Sequence, residues 1–176
     1  MAYLPFVQQM PIDRNFTPGR MQMVPNGLAI HVTDGVRHQL PNLGGVKSSF
    51  NVEGAHVSAH FCVAKDGTIA QFVNTTDIAF AVGGDHLRDD DQYWYSIENI
   101  AFPGEELTPE QVKGCGQIYA WFNMNFGLPL KLALTRFDCG LGYHSMFKRA
   151  HPGCPGPKVI AQRDAILAAA RGFGAS

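Results

Sequence analysis

The segment from Thr108 to Gly127 constrains the fold more than any other. Thr108-Pro109-Glu110-Gln111 is a helix start. The Thr108 hydroxyl can accept a free first-turn N–H, Pro109 needs no N–H at the first helical position, and Gln111 completes a capping box. Val112, Ile118, Tyr119, Phe122 and Phe126 then recur at helical spacing, and Gly127 suits the stop. The phenylalanine-rich face of this helix belongs in a core.

The stretches around it read as strands. Gly27-Leu28-Ala29-Ile30-His31-Val32-Thr33 is apolar and rich in β-branched residues, and it ends at the turn signal Asp34-Gly35. Val57 to Ala64 and Ile69 to Val73 form a hairpin about Lys65-Asp66-Gly67-Thr68. Tyr93 to Phe102 is aromatic and β-prone, and Pro103-Gly104 ends it. The apolar run Leu130 to Leu134 is expected to be the last strand. Val46 to Asn51 reads as one short helix and Lys158 to Arg171 as a closing helix. Alternating strands and helices predict an α/β fold, a central mixed β-sheet flanked by helices, in a single domain. Residues 1–26, with Pro5, Pro11, Pro18 and Pro25, read as an irregular N-terminal arm over the surface, and residues 27–172 as the domain proper.

Composition narrows the partners. Hydrophobic residues make up 45% of the 176 and charged residues 16%, which specifies a globular chain with a real core. A net charge of −1 without a Lys/Arg block argues against nucleic acid or an acidic membrane surface as a partner. No apolar run approaches the roughly 18 residues that span a bilayer, so no membrane insertion is expected. Met1 to Gln9 lacks the basic and long apolar regions of a secretory signal. The expectation is a protein in the cytoplasm of the producing cell, reaching any outside target by release or export, and acting as a monomer.

Chemistry concentrates between Tyr143 and Pro157. His144 is followed by Cys154, which is set among Pro152, Gly153, Pro155 and Gly156. Of the four cysteines, Cys62 reads as a small buried hydrophobe. Cys115 and Cys139 could pair, but nothing demands it, and only Cys154 has a setting that suggests chemistry. Imidazole and thiolate are preferred zinc ligands, and a catalytic zinc site takes three protein ligands and keeps one position open. His144 and Cys154 can supply two. Among the other histidines, His31 fits best as the third, because an imidazole inside a buried strand needs a partner.

Together these residues resemble the zinc-dependent N-acetylmuramoyl-L-alanine amidases of the Amidase_2 type, which share their fold with the peptidoglycan recognition proteins. The resemblance spans about residues 27–165. It rests on an ordered set: Ile30-His31-Val32-Thr33, Val57-Ser58-Ala59-His60-Phe61 with Asp66-Gly67-Thr68-Ile69, Ser96-Ile97-Glu98, Gly142-Tyr143-His144-Ser145, and Cys154-Pro155-Gly156-Pro157. It implies Zn²⁺ on His31, His144 and Cys154, Glu98 as the catalytic base, and peptidoglycan or a muropeptide as substrate, with the muramoyl–L-alanine amide cut in cell-wall lysis or turnover, as in an endolysin. The chain departs from the pattern at Val32, Ala59, Pro152 and Ala79 to Gly84. The metal set stays intact, and the oxyanion donor stays open among His151, Lys148 and Arg149.

Other readings compete with these. Taken alone, His31 is a hydrogen-bonded core histidine and Glu98 a solvent-facing strand residue. His60 reads as structural, next to a ligand. His38, His56 and His86 read as solvated, and Asp89-Asp90-Asp91 as a solvated charge run. A non-catalytic module that binds muropeptide, and a metal-independent thiol hydrolase with Cys154 as nucleophile and His144 as base, are the alternative functions.

Overall fold

The computed structural model describes residues 4–20, 24–34, 42–84, 87–147 and 153–175. A six-stranded mixed sheet organises them. It contains β1 (Gln8–Gln9), β3 (Gly27–Ile30), β4 (Phe61–Val63), β5 (Ile69–Gln71), β7 (Trp94–Asn99) and β8 (Gly140–Tyr143), in the order β1-β5-β4-β7-β3-β8. Strands β4, β7, β3 and β8 run parallel. β5 runs against β4, and β1 lies parallel to β5. β2 (Phe16–Thr17) and β6 (Ile78–Ala79) form a separate antiparallel pair. The helices are α1 (Leu43–Phe50), α2 (Pro109–Phe126), α3 (Pro157–Ala161) and α4 (Arg163–Gly172).

Both faces of the sheet are covered, which is why β3 and β4 read as continuous apolar runs. On one face Leu28, Ile30, Phe61, Ile97 and Leu141 meet Ile118 and Phe122 of α2 and Ile166 of α4. Full burial of a side chain such as Phe122 stabilises the fold by about 1.5–3 kcal/mol. Helix α2 begins and ends as its sequence predicts. The Thr108 hydroxyl accepts from Gln111 N, the Gln111 side chain accepts from Thr108 N, and Gly127 is left-handed at φ 67°. On the opposite face, Val46 and Phe50 of α1 pack on Cys62, Ala70 and Phe72. The hairpin between β4 and β5 turns at Gly67, whose φ of 85° favours glycine. Among the described residues no helix is long and apolar enough to cross a membrane.

Several expectations are corrected. Helix α1 starts at Leu43, where the Asn42 side chain accepts from Gly45 N (2.9 Å), and it ends as expected at Asn51. The N-terminal arm is not wholly irregular: β1 extends the sheet edge, and Leu4 and Ile12 are buried. The closing helix is split at Gln162, whose amide side chain donates to Leu107 O (3.0 Å) and accepts from Leu107 N (2.8 Å). Leu130 to Leu134 makes only a single parallel bridge, Leu132 to Leu141, and the last strand is Gly140–Tyr143. Its glycines conceal it in the sequence. The Trp94 indole lies over β3 and β8, and a Cβ would come within 2.3 Å of the ring at Gly27 and 2.8 Å at Gly142. The Asp89 to Asp91 run is not solvated: Asp90 and Asp91 are buried. All four cysteines are free, with Cys115 buried and donating to Asn99 Oδ1 (3.3 Å) and Cys139 exposed.

Candidate metal centre

The register of three parallel strands assembles the site. Ile30 of β3 is paired with Ile97 of β7 and with Tyr143 of β8. One residue further along, Glu98, His31 and His144 therefore stand side by side. All three project from one face, because side chains alternate along extended chain. Ligand sites of open α/β sheets form at these carboxyl ends of strands. The backbone holds the row firmly. His31 N donates to Ile97 O (2.9 Å), and His31 O accepts from Asn99 N and Asn99 Nδ2 (3.1 Å each).

Cys154 arrives from the loop after β8. Ser145 N donates to Cys154 O (2.9 Å), and Val32 N donates to Cys154 Sγ (3.4 Å). Gly156 packs where a side chain would collide with Gly104 N at 2.7 Å, which ties the loop to the far end of β7. The donor atoms of His31, His144 and Cys154 all lie within 4.8 Å of one another. The two imidazoles sit 4.4 Å apart, ring centre to ring centre, and Glu98 Oε1 is 4.0 Å from His31 Nδ1.

The electrostatics follow from burial. Desolvation, with help from His144, holds His31 well below the usual histidine range, so its ring is neutral and keeps a lone pair. Burial pushes Glu98 up to about 8. Burial and the nearby Glu98 push the Cys154 thiol up to about 12. His31 Nε2 and Glu98 Oε2 are buried without a hydrogen-bond partner. Two imidazoles and a thiol converging beside a carboxylate, with a buried ring nitrogen left free, fit a zinc-type ion by donor chemistry.

The structure thus brings together His31, His144, Cys154 and Glu98 as the sequence predicts. His151, Lys148 and Arg149 lie outside the described residues, as do His38 and His86. His56 is exposed. His60 is buried away from the donor cluster. Its Nδ1 accepts from Ser96 N (3.3 Å), and it faces Arg20 and Asp77 O through Nε2. Two neighbours were not anticipated. Thr33, two residues beyond His31, has a buried hydroxyl without a partner, and period-two alternation from His31 was the signal for it. Cys62 stands opposite Glu98 in the β4–β7 register, a pairing that only the sheet order reveals.

Residues 21–157 match the family described as N-acetylmuramoyl-L-alanine amidase, Amidase_2. The chain belongs to this family. Solved structures agree in fold. A selenomethionine AmpD derivative is 17% identical, with a TM-score of 0.67, over 94% of this chain and 96% of that one. Hydrolase AmiA of Staphylococcus aureus, solved with its ligand, is 13% identical, with a TM-score of 0.69, over 96% and 84%. PlyL is 15% identical, with a TM-score of 0.66, over 92% and 94%. No curated protein matches the chain in sequence.

Proposed function

We propose that the chain is a zinc amidase that hydrolyses the bond between the lactyl group of N-acetylmuramic acid and the L-alanine of peptidoglycan. The observation that carries this reading is the convergence of His31, His144 and Cys154 within 4.8 Å, beside the buried Glu98, in a chain of the amidase family. His31, His144 and Cys154 would hold the ion. Once bound there, zinc supplies a water acidified to a pKa of about 7 and a Lewis acid for the scissile carbonyl.

The chain's own residues do the rest. The ladder bonds of His31 and the contacts of the Cys154 loop set the donors before substrate arrives, so little ordering remains at the moment of reaction. The Val32 N–H stabilises negative charge on the Cys154 sulfur. A cation held by the three donors would favour the carboxylate form of Glu98 against its burial, and Glu98 then takes the proton of the attacking water at its free oxygen and passes it to the departing L-alanine nitrogen. Help of this kind is worth about 10²–10⁴-fold. Burial keeps bulk water from competing for that proton.

The test is mass spectrometry of digested peptidoglycan. Stem peptides with a free L-alanine amine should appear while the glycan stays uncut. A chelator should stop their release and added zinc restore it. Release that survives chelation and dies with a thiol alkylator would replace this reading with the thiol hydrolase. Tight binding without any release would replace it with a recognition module.

A further inference from the structure

The peptide unit that joins His31 to Val32 is held at both ends. Its oxygen, His31 O, accepts from Asn99 N and from Asn99 Nδ2 (3.1 Å each), so both lone pairs are in use. Its N–H, on Val32, donates to Cys154 Sγ (3.4 Å). In a trans peptide the C=O and the N–H lie in one plane and point in opposite directions. A grip on the oxygen therefore sets where the N–H aims.

The backbone bond from Asn99 belongs to the ladder, and any residue but proline would make it. The side-chain bond is particular to asparagine. Asn99 is fully buried, and its amide faces Cys115 of α2. A buried amide costs free energy unless its groups are bonded, and a hydrocarbon side chain would fill the position without that cost. The orientation of the amide is fixed by chemistry. His31 O can only accept, so the nitrogen faces it, and Oδ1 is left to the Cys115 S–H (3.3 Å). The donors then all point one way: Cys115 to Asn99, Asn99 to His31 O, and Val32 N–H to Cys154 Sγ. In a low-dielectric interior each bond of such a series polarises the next, by about 10–30%.

We propose that Asn99 is a positioning residue for the metal centre. With Cys115 behind it, Asn99 orients and polarises the His31–Val32 peptide, so that the Val32 N–H is aimed at the sulfur that holds the ion. The same peptide carries the backbone of His31. One side chain thus supports two of the three donors from the face of the sheet opposite Glu98, its neighbour on β7. The inference rests on the metal-centre reading above and adds to it a support that reaches through the sheet from α2.

The test is Asn99→Leu, which removes the amide at similar volume. Cobalt(II) chloride is the probe, because a thiolate on cobalt(II) absorbs in the near ultraviolet by charge transfer. Without the polarised N–H the sulfur lone pair rises in energy, and the band should move to longer wavelength. Zinc affinity, read by competition with a chromophoric chelator, should fall about tenfold, the low end for a residue that stands behind a ligand. The metal-free protein should melt at or above the wild-type temperature, since His31 O keeps its backbone donor and the thiol left over is a weak one. Cys115→Ala should move the band the same way by less, and Cys115→Ser, which keeps a donor, should leave it in place. An unmoved band with unchanged zinc affinity in Asn99→Leu overturns the proposal. A lower metal-free melting temperature with an unmoved band overturns it too, and makes the contact a structural tie between α2 and β7. Should Asn99→Leu fail to fold, the Cys115 pair decides, and equal bands in the two variants overturn the proposal. A wild type that takes up neither cobalt nor zinc overturns the metal-centre reading and this inference with it, whereas uptake with an unmoved band removes the inference alone.

Discussion

Two groups of buried charged side chains can be set against each other. Around Asp90 and Asp91 the hydrogen bonding of the carboxylates is complete, and the amide oxygen of the adjacent Gln92 is the buried atom beside them without a partner. Asp90 takes Arg88 Nε on one oxygen (2.6 Å) and Arg136 NH1 on the other (2.7 Å). Asp91 accepts from Ala81 N (3.0 Å), Val82 N (2.8 Å) and Gly83 N (3.1 Å). The nearby Arg20 guanidinium donates to the carbonyls of Gln92 (2.8 Å), Asp91 (3.0 Å) and Asp77 (3.2 Å). Around Glu98 and His31 it is incomplete, with Glu98 Oε2, His31 Nε2 and Thr33 Oγ1 buried and without partners. Buried polar groups are nearly always satisfied, and each one that is not costs about 1–3 kcal/mol. The complete group holds loops in place. The incomplete group keeps its valences for something that arrives from outside.

If that contrast is right, the largest effect belongs to the incomplete group. His31→Ala and Cys154→Ala should each lower activity by on the order of 10⁴-fold or more, the scale of removing a member of a unit that acts together. Zinc should raise the melting temperature of the wild type and fail to do so in either variant, which checks the metal without reference to turnover. Next comes Glu98→Gln, with activity down about 100- to 1,000-fold and zinc content, read by elemental analysis, unchanged. A Glu98→Gln protein with full activity would remove that carboxylate from the mechanism.

Which parts of this were legible in the sequence follows from where each signal is stored. Helix α2 is written locally: Thr108, Gln111 and Gly127 each act within a turn of their own position. The turn at Asp66-Gly67 is local as well. The donors His31, His144 and Cys154 were legible because their residue types are uncommon in such settings and the resemblance orders them. Strand β8 was not, because its reason lies elsewhere: Gly140-Leu141-Gly142-Tyr143 has poor strand composition, and the side-chain space is filled by Trp94 from a neighbouring strand. The apolar run Leu130 to Leu134 looked more strand-like and supplies only the flank. The acidic run failed for the same reason. A triplet of aspartates reads as solvated until Arg136 and the amides of Ala81 to Gly83 are brought to it.

The complete group should answer in stability and not in chemistry. Asp91→Ala strands three backbone N–H groups, that of Val82 buried and those of Ala81 and Gly83 partly so, at a cost of about 2–3 kcal/mol. For a chain of this size that lowers the melting temperature by roughly 5–10 °C. Zinc content should not move. A variant that melts normally but loses zinc would mean that the loop of residues 81–83 supports the metal centre, and the division between the two groups would fall.

The smallest effect is expected at Ser96, and it marks how far the incomplete group extends. Ser96 is buried, and its hydroxyl has no partner. It lies on the same face as Glu98, two residues earlier on β7 and so about 6–7 Å deeper in the sheet, opposite Ala29 of β3. That depth separates two explanations for its unpaired hydroxyl. If the orphan is a tolerated defect of a packed sheet, Ser96→Ala removes a desolvated group that bonds to nothing. Stability then stays level or rises by up to about 1 kcal/mol, and activity stays within twofold. If the hydroxyl belongs to the reacting cluster, Ser96→Ala keeps its zinc and its melting temperature while kcat falls tenfold or more. The position argues for the first outcome. Ser96 sits below the row of Glu98, His31 and His144, and the carbonyl ends that face the substrate begin one row above it.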